Sequence, residues 1–259
     1  MKLFDSHAHC DDKRFDTEYE GGTLKLIEDC FNDNIGYIIN IGTNLENSKV
    51  SVDLAHRFEN LYASCGIHPS DVFYEDADKA ISVIEDLLKD EKAVALGEIG
   101  LDYHYENVPR DLQMVYFRKQ MDLAKKLGIP VIIHDRDAHG DVMEVLRKYK
   151  GVRGVLHSFS GSVEMAEELV DLGYMISLSG TLTFTNARKP KEVAAAIDIS
   201  KLLIETDCPY LAPHPKRGQL NHSGNLIFTS YALSQIKGID EREVARITEE
   251  NALRFFGIK

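Results

Sequence analysis

Near the start of the chain, Leu3-Phe4-Asp5-Ser6-His7-Ala8-His9 sets two histidines two positions apart behind an apolar pair. Such a pair reads as the opening of a short buried strand. Side chains at i and i+2 of a strand share a side, so His7 and His9 can aim both imidazoles at one point. Imidazole is the commonest protein ligand for a divalent transition metal. A His-x-His pair alone fits a solvated surface equally well. Repetition gives it weight, because His68, Glu98, His134, His157 and Asp207 each close a later apolar run. The set His7, His9, Glu98, His134, His157 and Asp207 exceeds what one tetrahedral ion needs. It suits two divalent ions with one carboxylate between them, an arrangement that binds a phosphoryl group and activates a water.

For these residues to meet, the strands that carry them must end at one place. The apolar runs are short and separated by segments of helical spacing. After the first strand comes a helix at 23–32 with Leu24, Ile27 and Phe31 on one face, then a strand at 37–42. The alternation continues with a helix at 45–58, N-capped by Asn44, a strand at 62–69, a helix at 76–90 and a strand at 93–100. A helix at 110–127, stopped by Gly128 and Pro130, precedes a strand at 130–134. Helices at 138–149, 163–172 and 190–197 separate strands at 154–157, 174–178 and 202–207, and helices at 226–237 and 240–256 end the chain. Strands that are apolar nearly throughout fit a parallel sheet covered on both faces. Eight of them predict a (β/α)8 TIM barrel with an extra C-terminal helix, as one domain over residues 1–259. An open doubly wound sheet is the alternative, but it would not gather the first, fourth, fifth, sixth and eighth strand ends at one centre.

Length and charge agree. A chain of 259 residues matches the usual size of such a barrel. The formal net charge of −12 argues against a large sequence-independent nucleic-acid surface. The four cysteines, Cys10, Cys30, Cys65 and Cys208, are scattered without a CxxC pair, which points to reduced thiols in a cytoplasmic protein. No signal-peptide pattern and no membrane-length apolar run is present, so no membrane partner is expected.

In series, the motifs Phe4-Asp5-Ser6-His7-Ala8-His9, Gly66-Ile67-His68-Pro69, Gly97-Glu98-Ile99-Gly100-Leu101-Asp102-Tyr103, Ile132-Ile133-His134, Leu156-His157-Ser158-Phe159-Ser160-Gly161 and Glu205-Thr206-Asp207-Cys208-Pro209-Tyr210-Leu211-Ala212-Pro213 resemble those of the TatD family of metal-dependent deoxyribonucleases. The likeness runs from Phe4 to the C-terminal helix. It implies an amidohydrolase-like TIM barrel with a divalent-metal centre whose ligands are His7, His9, Glu98, His134, His157 and Asp207. It also implies DNA or another phosphodiester as substrate, cleaved in the manner of a 3′–5′ exonuclease. One departure stands in the last loop, where Asn221-His222-Ser223 replaces the family's usual Asn-Glu-Pro. His222 is read as an exposed rim residue rather than a seventh ligand.

On this basis His7, His9 and Asp207 are expected to hold one ion and His134 and His157 a second, with Glu98 bridging. Asp207 is the candidate to orient or deprotonate the attacking water. His68 is a candidate donor to a phosphate oxygen or leaving group, Asp102 a support for a ligand, and Asp5 either a support or a bond to the barrel. Arg188 and Lys189, with Lys191, and then Lys216 and Arg217, are expected in loops at the barrel mouth. There they could hold a phosphate chain, although a charge run is ordinarily a solvated surface. Phe159, Phe184 and Tyr210 could stack a terminal base or belong to the core. Histidine-rich ligation suits zinc, whereas phosphoryl chemistry is often served by magnesium or manganese. The ligands do not distinguish a nuclease from an ester or amide hydrolase such as an aminoacyl-tRNA deacylase. A non-catalytic nucleic-acid-binding barrel ranks last, because no ligand position is lost.

Overall fold

Every apolar run singled out above forms a strand in the computed structural model, which describes residues 1–74 and 76–259. The strands are β1 (Leu3–Ala8), β2 (Ile35–Ile41), β3 (Leu61–Cys65), β4 (Ala93–Asp102), β5 (Val131–Arg136), β6 (Gly154–Leu156), β7 (Met175–Leu178) and β8 (Leu202–Ile204). Between and after them lie α1 (Arg14–Glu18), α2 (Gly22–Asn32), α3 (Leu45–Ala55), α4 (Ala77–Leu87), α5 (Arg110–Leu127), α6 (His139–Lys148), α7 (Val163–Asp171), α8 (Arg188–Ala196), α9 (Leu226–Lys237) and α10 (Glu241–Phe256). All neighbouring strands are parallel, in the order β1 to β8. The protein is therefore a TIM barrel with an extra C-terminal helix.

Local chemistry sets the boundaries. Asn44 caps α3 by accepting from Asn47 N at 2.9 Å. Gly128 ends α5 in the left-handed conformation, with φ 69°. Residues 14–18 form the short α1, which no amphipathic run in the sequence announces. The helix expected from Pro190 begins at Arg188, because proline is tolerated in a first helical turn. Arg188, Lys189 and Lys191 therefore stand on α8, not in a loop.

The barrel closes through a narrow seam. The contact between β1 and the end of β8 is an isolated bridge, Ala8 with Cys208. His9 N donates to Cys208 O at 2.8 Å, and Asp207 N donates to His7 O at 2.9 Å. The residues that close the barrel are thus the neighbours of three candidate ligands.

Two cores flank the sheet. The larger packs its outer face against the helices, with Ile38, Phe117, Ile133 and Leu169 fully buried. The smaller fills the barrel floor with Phe4, Ile39, Ile41, Ala95, Ile132, Val155 and Leu203. Helix α10 plugs that floor with Ala252, Phe255 and Phe256, and the rings of Phe4 and Phe256 stack at 5.9 Å. Burying each such aromatic contributes about 1.5–3 kcal/mol. The polar residues are left to the other end. Among the described residues, no helix is long and apolar enough to cross a membrane.

Candidate metal centre

Strand parity explains how the candidate ligands turn inward. On β5, β6 and β8 the alternation is regular: Ile132, Val155 and Leu203 face the floor, and His134, His157 and Glu205 follow two positions later. On β1 and β4 the interval is three, from Phe4 to His7 and from Ala95 to Glu98. Each carries a register shift in that interval, between Asp5 and Ala8 and between Leu96 and Ile99. Such irregularities re-aim side chains beside active sites. Gly66 and Gly97 permit the second shift, since a Cβ on Gly66 would lie 2.7 Å from the Gly97 carbonyl carbon. Their backbones touch, and His68 comes within 3.7 Å of Glu98.

The two oxygens of Glu98 divide the imidazoles. Oε2 faces His7 Nε2 at 3.5 Å and His9 Nε2 at 3.9 Å. Asp207 Oδ1 lies on that side too, 3.6 Å from His7 Nε2 and 3.5 Å from His9 Nε2. Oε1 faces His134 Nδ1 at 2.7 Å, His157 Nε2 at 2.8 Å and His68 Nε2 at 3.7 Å. His134 and His157 approach each other to 3.1 Å. His7 is fully buried, with neither ring nitrogen hydrogen-bonded among the described residues. A buried polar atom without a partner is costly. A converging set of imidazole and carboxylate atoms around such a residue fits a cation that would satisfy it. Among the described residues, three groups could hold a metal ion: His7, His9 and Glu98; His7, His157 and Glu205; and His68, Glu98 and His134.

The electrostatics follow from burial and opposite charge. Burial works against ionised Glu98, but the imidazoles of His157, His68 and His7 and the hydrogen bond with His134 outweigh it, holding the carboxyl well below its usual range. Burial pushes His7 down, and takes His68 down to about 3. Burial also opposes charge on His9, yet the hydrogen bond and charge of Asp207 prevail and raise it to about 9.

An outer ring of groups orients the inner one. Asp102 Oδ2 lies 3.1 Å from His134 Nε2, and Nδ1 faces Glu98 at 2.7 Å. Asp5 does not reach His7 in this way; it ties β1 to Thr206. Glu205, not singled out in the sequence, lies 3.3 Å from His157 Nδ1. Arg136, two residues after His134, also went unnoticed and lines the mouth.

The mouth is an open cleft of about 1360 Å³ bounded by His9, His68, Glu98, Asp102, His134, His157 and Asp207, among others. Its further lining is largely acidic, with Asp11, Asp12, Glu46, Asp71, Asp135 and Asp137; Lys13 and Arg136 are the cations. Arg188, Lys189, Lys216 and Arg217 are not in that lining. Arg188 pairs with Glu192. Arg217 donates to Ala212 O at 3.0 Å and covers the Phe184 ring at 4.0 Å. Phe159 and Tyr210 both line the cleft, Phe159 buried and Tyr210 half-exposed and backed by the Arg14 guanidinium at 4.5 Å. His222 is not on an open rim: it packs partly buried against Cys30 and Tyr19, outside the cleft.

The family model for TatD-related DNases matches residues 4–257. The uncharacterized metal-dependent hydrolase YabD of Bacillus subtilis is 38% identical over 258 residues, covering 99% of each chain. The uncharacterized metal-dependent hydrolase YcfH of Escherichia coli K12 is 34% identical over 260 residues, covering 100% of this chain and 97% of its own. Among solved structures, the TatD homolog YJJV of Escherichia coli K12 superposes with a TM-score of 0.89 at 30% identity, over 99% of this chain and 98% of that one. With likeness of this extent over the whole barrel and its mouth, the chain belongs to the TatD family of metal-dependent hydrolases.

Proposed function

We propose that this hydrolase cleaves phosphodiester bonds in DNA, removing nucleotides from a 3′ end, with two divalent ions at the barrel mouth. The observation that carries the reading is the division of imidazoles by Glu98. One oxygen serves His7 and His9 beside Asp207, and the other serves His134 and His157. His7, His9 and Asp207 would hold one ion, His134 and His157 the second, and Glu98 both. When bound, divalent ions supply positive charge to the phosphate oxygens and acidify a water. The name of the matching family supports a nucleic-acid substrate.

The remaining roles belong to the protein's own groups. Asp207 turns Oδ1 to the histidines while its carboxylate borders the cleft, so it can accept a proton from the attacking water. His68 acts as a neutral donor. Its Nδ1 accepts from Ser70 N at 3.1 Å, which puts the proton on Nε2, facing the centre. A ligand would need that nitrogen bare, so His68 donates to a phosphate or leaving-group oxygen instead. Arg136 and Lys13 meet the nearest phosphates, and Lys189 and Arg217 stand further out along the chain's path. The whole chain, 1–259, acts as one unit, and a cytoplasmic setting fits its four unpaired thiols.

The acidic lining of the cleft favours a second reading, an ester substrate with few phosphates. The decisive experiment strips the protein of metal and restores magnesium, manganese or zinc singly. Each form is then offered short 5′-labelled single-stranded DNA and, separately, an aminoacyl ester. Stepwise shortening from the 3′ end is expected. Ester hydrolysis without any phosphodiester cleavage would replace the nuclease reading with the second.

A further inference from the structure

We infer that Glu205 is the positioning residue for His157: its carboxylate fixes which imidazole nitrogen faces Glu98, and so sets the strength with which the centre holds its metal. This rests on the proposed reading of His157 as a ligand.

Glu205 is fully buried at the end of β8. A buried carboxylate is costly unless donors surround it. Glu205 Oε1 accepts from Ser158 N at 2.7 Å and lies 3.3 Å from His157 Nδ1. Oε2 has no hydrogen-bond partner among the described residues. The donor at Ser158 is available because the chain turns there, with φ 41°, directing its N–H back at β8. Ser158 thereby anchors the carboxylate, and the carboxylate anchors the ring.

The chemistry then selects a tautomer. A cation bound at Nε2 would leave the proton of a neutral His157 on Nδ1, directed at the Glu205 oxygen that already accepts from Ser158. His157 Nε2 faces Glu98 Oε1 at 2.8 Å. His134 is arranged the opposite way, with Nε2 toward Asp102 and Nδ1 toward Glu98. Adjacent imidazoles thus meet two different outer carboxylates through opposite ring nitrogens, and both turn the remaining nitrogen to the same Glu98 oxygen. A neutral glutamine at 205 would satisfy Ser158 N equally well. What the carboxylate adds over an amide is its pull on the imidazole, raising the basicity of His157. The stacked ring of His7, 4.0 Å away, shares that field.

The test compares wild type with Glu205→Gln, Glu205→Asp and His157→Ala. Zinc alone is titrated calorimetrically into each metal-stripped protein, and long-range proton–nitrogen NMR reads the imidazoles of the zinc-loaded forms. Wild type should show His157 protonated at Nδ1. Glu205→Gln should bind the same number of ions about 10- to 100-fold more weakly, the usual effect of losing an outer partner. Glu205→Asp should recover part of the loss, and His157→Ala should exceed it. Unchanged zinc affinity in Glu205→Gln beside an impaired His157→Ala would overturn the inference and leave the ligand reading standing. Unchanged affinity in His157→Ala would instead remove the ligand reading itself. Loss of one whole ion in Glu205→Gln with the His157 tautomer intact would make Glu205 a ligand, against the inference. Should the variants not fold, wild type alone decides: a proton on Nε2 of His157 would refute the assignment.

Discussion

Asp5 accepts two hydrogen bonds from Thr206 across the barrel seam, from its backbone N at 2.9 Å and from its hydroxyl at 2.6 Å. His7 stands two positions beyond Asp5, and Asp207 follows Thr206 directly. This pair adds to the backbone bond from Asp207 N to His7 O and to the Ser6 hydroxyl's bond to Ile204 O in holding two candidate ligands together across the seam. Thr206→Val keeps the shape and removes the hydroxyl, leaving one buried carboxylate oxygen without its donor. The loss should be about 1–3 kcal/mol of stability. Urea denaturation of the metal-free protein would measure it. An unchanged midpoint would show that backbone pairing alone holds the seam.

The division of imidazoles by Glu98 makes a second prediction. Glu98→Gln preserves size but removes the charge that would keep two cations together in the proposed centre. Asp102→Asn removes only a partner of His134, for which about 10- to 100-fold is the usual cost. Bound metal and hydrolysis should fall much further in Glu98→Gln than in Asp102→Asn. Metal content by elemental analysis, with rates measured in parallel, distinguishes them. Equal losses would move Asp102 from supporting His134 to binding metal directly.

The same residues mark what was legible in the sequence. Strand ends were legible because histidine and carboxylate interrupt otherwise apolar runs, and the strand count followed from their rhythm. Glu205 was missed although it precedes Asp207 by two, the spacing used to pair His7 with His9. Arg136 was missed although it follows His134 by two. In both cases the residue was taken as strand or loop, not as part of the facing set. The parity changes between Phe4 and His7 and between Ala95 and Glu98 could not be read from periodicity, because a register shift breaks it. His222 was misplaced for a different reason. Its loop folds back toward α2, a tertiary contact with no local signal.

Burial predicts alkaline sensitivity. Burial pushes the Cys30 and Cys65 thiols from 9.0 up to about 12. Burial, then the hydrogen bonds to Asp29 and Asp122, raise Tyr19 and Tyr149 from 10.0 to about 12. Between the ordinary and raised values the folded chain keeps protons that the unfolded chain releases. The unfolded state then binds fewer protons, so stability falls as pH rises through that window. The urea midpoint should decline steadily from about pH 9 to about pH 12. At pH 8 the native protein should resist thiol reagents at all four buried cysteines and become reactive on denaturation. Rapid labelling of the folded protein would contradict the burial of these thiols.

The cleft itself discriminates between a polymer and a small substrate. Arg136 and Lys13 are the cations in a lining rich in carboxylates, while Lys189 and Arg217 stand outside it. If DNA occupies the cleft, Arg136→Ala should weaken oligonucleotide binding at low salt. It should also flatten the dependence of log affinity on log salt by about 0.7 for each lost contact with a single strand. Lys189→Ala with Arg217→Ala should have the smaller effect, since neither residue lines the cleft. A small chromogenic phosphodiester, with no chain to reach beyond the centre, should be hydrolysed nearly as before by the Lys189/Arg217 double variant. Binding measured by fluorescence anisotropy across a salt series checks each arm. A larger loss in the double variant would place the phosphate track on the outer rim, over α8 and the loop after β8. No salt-dependent change in either would remove the polymer from the cleft and leave the small-ester substrate that its acidic lining favours.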